Sequence, residues 1–157
     1  MPFPNDRTYS FDKNLEVSDG ASSTAASGFL QTGGATGIVD LGGNQGTNPK
    51  QQDRTDAVMV CDVTAVGTAA GTAVKLFVVG SNDPGLASGN VVLGAQEIGA
   101  AATIEIPNAA VSTPGRYEIF FTTQVAGVLY QYVGLYALVV STGSATVHAF
   151  ICVLPVP

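Results

Sequence analysis

Short runs of β-branched and aromatic residues, separated by Gly, Pro, Asn and Asp, recur along the last two thirds of this 157-residue chain. The runs fit a pleated surface and the separating residues favour turns, so the pattern predicts strands. No stretch of eleven or more residues shows a helical period without Gly or β-branched interruptions. The strands are predicted near residues 38–41, 56–66, 72–80, 91–98, 103–106, 116–125, 127–141 and 145–154.

Turn residues support this division of the chain. In Asn82-Asp83-Pro84-Gly85 and in Thr113-Pro114-Gly115, proline presets φ and glycine is expected at the positive-φ position. About eight short strands without helices predict an all-β fold, a single jelly-roll-like β-sandwich. Within the strand at 56–66, alternation puts one set of side chains, including Cys61, on the core side: Ala57, Met59, Cys61, Val63 and Ala65.

The first 55 residues have a different composition, in which Gly, Ser, Thr and Asn dominate and apolar residues are scattered. We predict an extended N-terminal arm over residues 1–55 that packs on the domain or on a neighbouring subunit, and a β-sandwich domain over residues 56–157. The alternative is that residues 1–55 form a flexible tail that does not pack on the domain. The glycines of this region, Gly33-Gly34 among them, are interpreted as flexible joints.

The charge content limits the possible partners. Only 11% of the residues are charged, against roughly 25% in an average domain, so uncharged polar groups must cover the surface. Such a surface suits extensive protein contact. A net charge of −6 with six basic residues argues against nucleic acid and anionic membranes as partners. The segment Met1–Arg7 has no basic leader or apolar run, so synthesis in the cytoplasm is expected.

No charged residue follows Glu118, which raises the question of a membrane span. The best window, Val125–Val140, is shorter than the roughly 20 residues that a helix needs, and its Val and Tyr residues favour strands. Tyr130, Tyr132 and Tyr136 alternate along it on one predicted face. This face either belongs to a two-sided core or meets another subunit, as tyrosine favours at interfaces.

Residues for nucleophilic catalysis are scarce. The sole histidine, His148, lies in an apolar strand, and no Gly-x-Ser-x-Gly motif is present. Cys61 and Cys152 lack basic neighbours in sequence that would lower their pKa, and they are interpreted as two buried thiols rather than a disulfide. We therefore predict that the protein is not an enzyme and has no cofactor.

The carboxylates likewise do not predict a hydrolase active site or a metal site. Glu105 and Glu118 could lie at the distance that separates the two catalytic carboxylates of a glycosidase. A solvated strand face explains them better. No calcium-loop spacing is present, so no metal site is predicted from the four candidate carboxylates: Asp40, Asp53, Asp56 and Asp62.

Four short segments follow one another in an order that resembles the capsid cement (decoration) proteins of short-tailed bacteriophages, over nearly the whole chain from residue 12 onward. They are Asp12–Asp19, Gly37–Gly42, Val78–Asp83 and the run from Gly115-Arg116-Tyr117 to the end. The resemblance implies a jelly-roll-like domain, a homo-oligomer (a dimer favoured, a trimer possible) and a place on the outer capsid surface, bridging the major capsid protein. It implies no enzymatic activity and no cofactor. Residues 1–11 and 43–55 depart from it.

The resulting hypothesis is a structural protein of the virion that stabilises contacts between major capsid subunits. Candidate subunit or capsid contacts are Tyr130, Tyr132, Tyr136, Phe3, Phe11 and Leu15. The alternative is a carbohydrate- or receptor-binding β-sandwich module of a virion, although the chain lacks tryptophan. For that alternative the relevant amides, which turns explain better, are Asn82, Asn90 and Asn108. A carboxylate-based hydrolase using Glu105 or Glu118 is a third hypothesis.

Overall fold

The computed structural model describes Tyr9 and residues 11–21, 24–42, 54–67, 72–99 and 114–153. In this part of the chain the regular elements are strands, apart from one 3-10 turn at Lys13–Leu15, so the predicted all-β class is confirmed. The strands are β1 (Glu16–Asp19), β2 (Gly28–Phe29), β3 (Gln31–Thr32), β4 (Ala35–Thr36), β5 (Ile38–Asp40), β6 (Asp56–Val66), β7 (Ala73–Ser81), β8 (Val91–Gly99), β9 (Gly115–Thr122), β10 (Gln124–Val125), β11 (Val128–Leu129), β12 (Tyr132–Val140) and β13 (Ala145–Val153).

Two larger antiparallel sheets organise these strands. One has the order β1-β13-β6-β9, and the other has the order β2-β12-β7-β8 with β5 also paired to β12. The short strands β3 with β4 and β10 with β11 form two hairpins. The predicted strand at 103–106 lies outside the described residues.

A common core lies between the two larger sheets. It joins Met59 and Cys61 on β6 with Leu76 on β7 and Leu135 on β12, all of them completely buried. Burial of a leucine or methionine side chain such as these stabilises the fold by about 1.5–3 kcal/mol relative to its exposed state. The predicted core position of Cys61 is confirmed. Ala65, predicted on the same face, is instead exposed, because a bulge between Thr146 and Val147 interrupts the pairing there.

The opposite face of β6 is buried as well. Val58 and Val60 form a second cluster with Phe150, against which Tyr9 and Cys152 pack. Phe11 lies on the same face, with its ring centroid 5.3 Å from that of Phe150. The N-terminal segment therefore packs on the part of this outer face that β6 and β13 form.

The predicted long strand at 127–141 is divided in the structure. Ala126 and Gly127 have positive φ values of 50° and 82° and form the two-residue turn of the β10–β11 hairpin. Tyr130 and Gln131 then connect this hairpin to β12. The prediction missed the hairpin because alanine is an unusual residue in a turn of this kind. The described residues include no helix that is long and apolar enough to cross a membrane.

The turn before β8 also differs from its prediction. Gly85 does not take the positive φ; Leu86 does, at 51°. The carboxylate of Asp83 accepts the Gly85 N–H at 2.9 Å and the Ser88 hydroxyl at 3.0 Å, and these bonds hold the loop in shape. In the second predicted turn, Gly115 begins β9 with no positive φ, and Thr113 lies outside the described residues.

The described part of the N-terminal region contributes strands to both larger sheets. β1 pairs with β13, whereas β2 and β5 pair with β12. Gly33 and Gly34, interpreted from sequence as flexible joints, have φ values of 60° and 81° and form the turn of the β3–β4 hairpin. The division of the chain at residue 55 stays a prediction.

Candidate functional site

The outer face of the five-stranded sheet carries a row of side chains in register across four strands. Tyr136 on β12 pairs with Phe29 on β2 and with Phe77 on β7, and Phe77 pairs with Ala95 on β8. The Phe29 and Tyr136 rings meet edge to face with centroids 5.2 Å apart, a favoured geometry. Their neighbours in sequence, such as Leu135 and Leu76, point into the core, so this row points away from it.

A second row lies beside the first. Leu138 pairs with Lys75, and Lys75 pairs with Glu97. The Lys75 ammonium lies 3.5 Å from the Glu97 carboxylate, so the two charges balance. Leu138 is 39% exposed and Ala95 is exposed. We call these seven residues the aromatic face: Phe29, Tyr136, Phe77, Ala95, Leu138, Lys75 and Glu97.

The loop between β7 and β8 closes one end of the aromatic face. Leu86 is 2% exposed and lies over Gly134, where an added Cβ would come within 2.6 Å of the Leu86 Cδ1 atom. Asn82 anchors the loop, since its amide donates to the Leu129 carbonyl at 2.9 Å and accepts the Gln131 N–H at 3.0 Å. The aromatic face thus has a fixed boundary formed by a hydrogen-bonded loop.

The three predicted tyrosines do not form one patch. Tyr136 belongs to the aromatic face, and Tyr132 lies at the start of β12, opposite Asp40 and Ser81. Tyr130 precedes β12 and its N–H donates to the Thr123 carbonyl at 2.8 Å. All three are half-buried.

The candidates from the N-terminal region lie elsewhere in the molecule. Phe11 is 51% exposed and lies over the outer face of the four-stranded sheet, beside His148 and Phe150. Leu15 packs half-buried against the main core. Phe3 lies outside the described residues. The structure therefore disperses the candidate contacts: Phe11 and Tyr136 lie on different outer sheet faces, and Leu15 packs against the core.

Sequence reasoning missed a buried carboxylate, Glu16, beside His148. The side chain of Glu16 on β1 is 4% exposed; it is ion-paired with Lys13, and it accepts the Thr32 hydroxyl at 2.6 Å. His148 Nε2 on β13 lies 3.1 Å from it. Burial by itself would raise the pKa of Glu16, but the hydrogen bonds from Lys13, Thr32 and His148 outweigh burial and lower it. No local signal predicts this cluster, because Glu16 and His148 are 132 residues apart.

The Glu16 cluster has the wrong order for nucleophilic catalysis. In a catalytic triad the imidazole lies between the hydroxyl and the carboxylate. Here the carboxylate lies between the Thr32 hydroxyl and the His148 ring. The cluster ties β1 to β13 and to β3, which is a structural role.

The other titratable candidates are dispersed. Arg54 forms two hydrogen bonds with Asp56, at 2.8 and 2.9 Å, and Arg116 forms two with Asp62, at 2.7 and 2.9 Å. Asp40 accepts the Gly42 N–H at 2.8 Å. Within the described ranges no three His, Cys, Asp or Glu residues are grouped so as to hold a metal ion. Asp53, Glu105 and Asn108 lie outside those ranges.

Neither cysteine is in a disulfide. Cys61 faces the core and Cys152 packs against the second cluster, on the other side of the four-stranded sheet. Burial, together with the charge of Asp62, raises the pKa of Cys61 to about 12, which leaves it as an inert thiol at neutral pH.

Residues of four segments, Asp12–Asp19, Gly37–Gly42, Val78–Asp83 and the run from Gly115 onward, come together in space. Val39 pairs with Val133, and Val133 pairs with Gly80 of the Val78–Asp83 segment. Gly37 lies so close to Val17 that an added Cβ would come within 1.9 Å of the Val17 carbonyl oxygen. Val17, Val39 and Val133 belong to the common core. Comparison of the chain with protein-family models, curated proteins and solved structures finds no match.

Proposed function

We propose that this chain is a non-enzymatic structural protein that decorates the outer surface of a bacteriophage capsid and stabilises contacts between major capsid subunits. The observation that carries the proposal is the aromatic face, an ordered apolar sheet surface with balanced charge. Such a surface is suited to contact with another protein, because little desolvation of charge opposes its burial. The major capsid protein and further copies of this chain are the proposed partners, and the virion surface is the proposed location.

The strand pairings support a jelly roll as the finer fold. Eight of the strands can be numbered one to eight along the chain: β1, β5, β6, β7, β8, β9, β12 and β13. The first then pairs with the eighth, the second with the seventh, the third with the sixth and the fourth with the fifth. Nested pairing of this kind is expected when one long hairpin rolls into two sheets.

The jelly roll by itself does not select the function, because viral capsid domains and lectins share it. A carbohydrate-binding module is therefore the alternative. The amides available to it are already engaged, since Asn82 bonds to the backbone on both sides and Asn90 donates to the Leu86 carbonyl at 2.8 Å. These contacts favour the structural proposal.

Co-sedimentation with capsids stripped of this protein tests the proposal. Saturable binding at a fixed ratio to the major capsid subunit, with greater resistance of the shells to heat, is the expected result. Absence of binding to both immature and mature shells would overturn it. A glycan array run in parallel would then show whether the carbohydrate-binding alternative takes its place.

A further inference from the structure

We propose that Asp19, which is followed by Gly20, is a site of spontaneous isomerisation to isoaspartate, and that docking of the β3–β4 turn controls when the reaction occurs. This is the only place in the chain where an aspartate precedes a glycine. Glycine has no Cβ to shield its backbone nitrogen, so an aspartate before glycine cyclises more readily than other aspartates do. This chemistry is independent of any capsid partner.

The reaction needs no reagent besides water. The backbone nitrogen of Gly20 attacks Cγ of the protonated Asp19 carboxyl group, and a C–N bond forms while the N–H proton and the carboxyl OH leave as water. The product is a succinimide ring. Addition of water then breaks one of the two C–N bonds of the imide. Cleavage at Cγ restores aspartate, and cleavage at the backbone carbonyl gives isoaspartate, whose main chain runs through Cβ and Cγ.

In the folded chain the Asp19 carboxylate is bound at both oxygens. Its Oδ1 accepts the Ala21 N–H at 2.9 Å, and its Oδ2 accepts the N–H of Gly33, in the β3–β4 turn, at 2.8 Å. Both bonds favour the charged form and lower the pKa of Asp19, which disfavours the protonated carboxyl group that must lose its OH. The carboxylate therefore stays in its unreactive form while the turn is docked.

The main chain at this position is held as well. Asp19 pairs with His148 at the end of β1. Gly20 follows with a φ of 65°, and an added Cβ there would lie 3.3 Å from the His148 Cβ and 3.4 Å from its backbone nitrogen. Isoaspartate adds one atom to the main chain beside this tight contact. We therefore expect that an isomerised β1 cannot return to its native register on β13.

The reaction would make a reversible opening irreversible. β1 lies at the edge of the four-stranded sheet, where local opening costs less than in the core strands. Each opening of β1 and of the β3–β4 turn frees Asp19 to cyclise, and the isomerised strand does not dock again. The N-terminal strand is then released in one direction as the protein ages.

Peptide mapping of the full chain after incubation at pH 7 measures isoaspartate at Asp19. It should form at least about 10-fold faster in the urea-unfolded chain than in the native protein. Gly33→Ala puts a side chain at a φ of 60° without a clash, so the turn should open more often and the native rate should rise about 5- to 30-fold. The matched control is Gly127→Ala, in the β10–β11 turn at a φ of 82° and also without a clash, which should leave the rate unchanged.

Four outcomes would overturn the proposal. The first is an absence of isoaspartate at Asp19 even in the unfolded chain, and the second is an equal rate in the native and unfolded chains. The third is a Gly33→Ala protein that circular dichroism shows to be folded and that isomerises at the wild-type rate. The fourth concerns hydrogen exchange of the purified isomerised protein, which should lose protection in β1 and keep it in β6. Full protection of β1 would contradict its release.

Discussion

At the scale of single residues, Glu16 is a buried group that joins several parts of the fold. Its buried carboxylate is bonded by Lys13, Thr32 and His148, which belong to three different parts of the fold. A buried charge is tolerated only when its hydrogen bonds are made, and removal of the charge leaves partners without a counter-charge.

Glu16→Gln is expected to lower the free energy of unfolding by about 1–3 kcal/mol at pH 7. The pKa of Glu16 is lowered in the folded state, so its contribution is complete above the unfolded value of 4.5 and is lost as the pH falls through the folded pKa. Urea unfolding of both proteins at several pH values checks this. The control is Glu118→Gln on β9. A difference between Glu16→Gln and wild type that grows on acidification would contradict the prediction.

Cys61 and Cys152 should differ in reactivity. Burial raises the pKa of Cys61 to about 12, and its side chain faces the core, so a thiol reagent at pH 8 should reach it only after unfolding. Cys152 is half-buried and should react earlier. Mass spectrometry of the labelled native protein should find one modification, at Cys152. Rapid native labelling of Cys61 would contradict its core position.

At the scale of elements, the N-terminal strands depend on one close approach. Gly37, just before β5, donates its N–H to the Leu30 carbonyl at 2.9 Å and lies against the Val17 backbone of β1. No other residue type fits, because a Cβ would overlap a carbonyl oxygen that cannot move without breaking the pairing of β1.

Gly37→Ala should therefore destabilise the protein by about 1–3 kcal/mol or more, as overpacking against backbone does. Gly28→Ala is the matched control, because an added Cβ there meets nothing within 4 Å. Thermal unfolding followed by circular dichroism measures both. Equal melting temperatures for the two variants would show that β1 and β5 do not approach each other in this way.

At the scale of the whole molecule, net charge and local charge act in opposite directions. Two copies at −6 each repel one another, whereas the aromatic face, on which the proposed function rests, has balanced charge. Association is then expected to strengthen as salt rises from about 10 to 150 mM, because the Debye length shortens to about 8 Å. Sedimentation at both salt concentrations measures the dimer Kd. Weaker association at the higher salt would indicate a contact held mainly by ion pairs between the copies.

Much of the fold follows from local pattern. Alternation of apolar residues predicted β6 with its observed bounds and placed Cys61 in the core, because a strand has a period of two and one face of it must be buried. Composition also indicated all-β structure, since β-branched runs between turn residues have few other stable arrangements.

The pairing of distant strands was decided only by the tertiary structure. Glu16 meets His148, and Tyr136 lies between Phe29 and Phe77, through pairings that no local pattern encodes. Packing also overrode turn preference when Leu86 and Ala126 took positive φ values that glycine usually supplies. The sequence by itself thus determined which segments are strands and which of their side chains are apolar. Which of these side chains meet across the two sheets depended on long-range contacts.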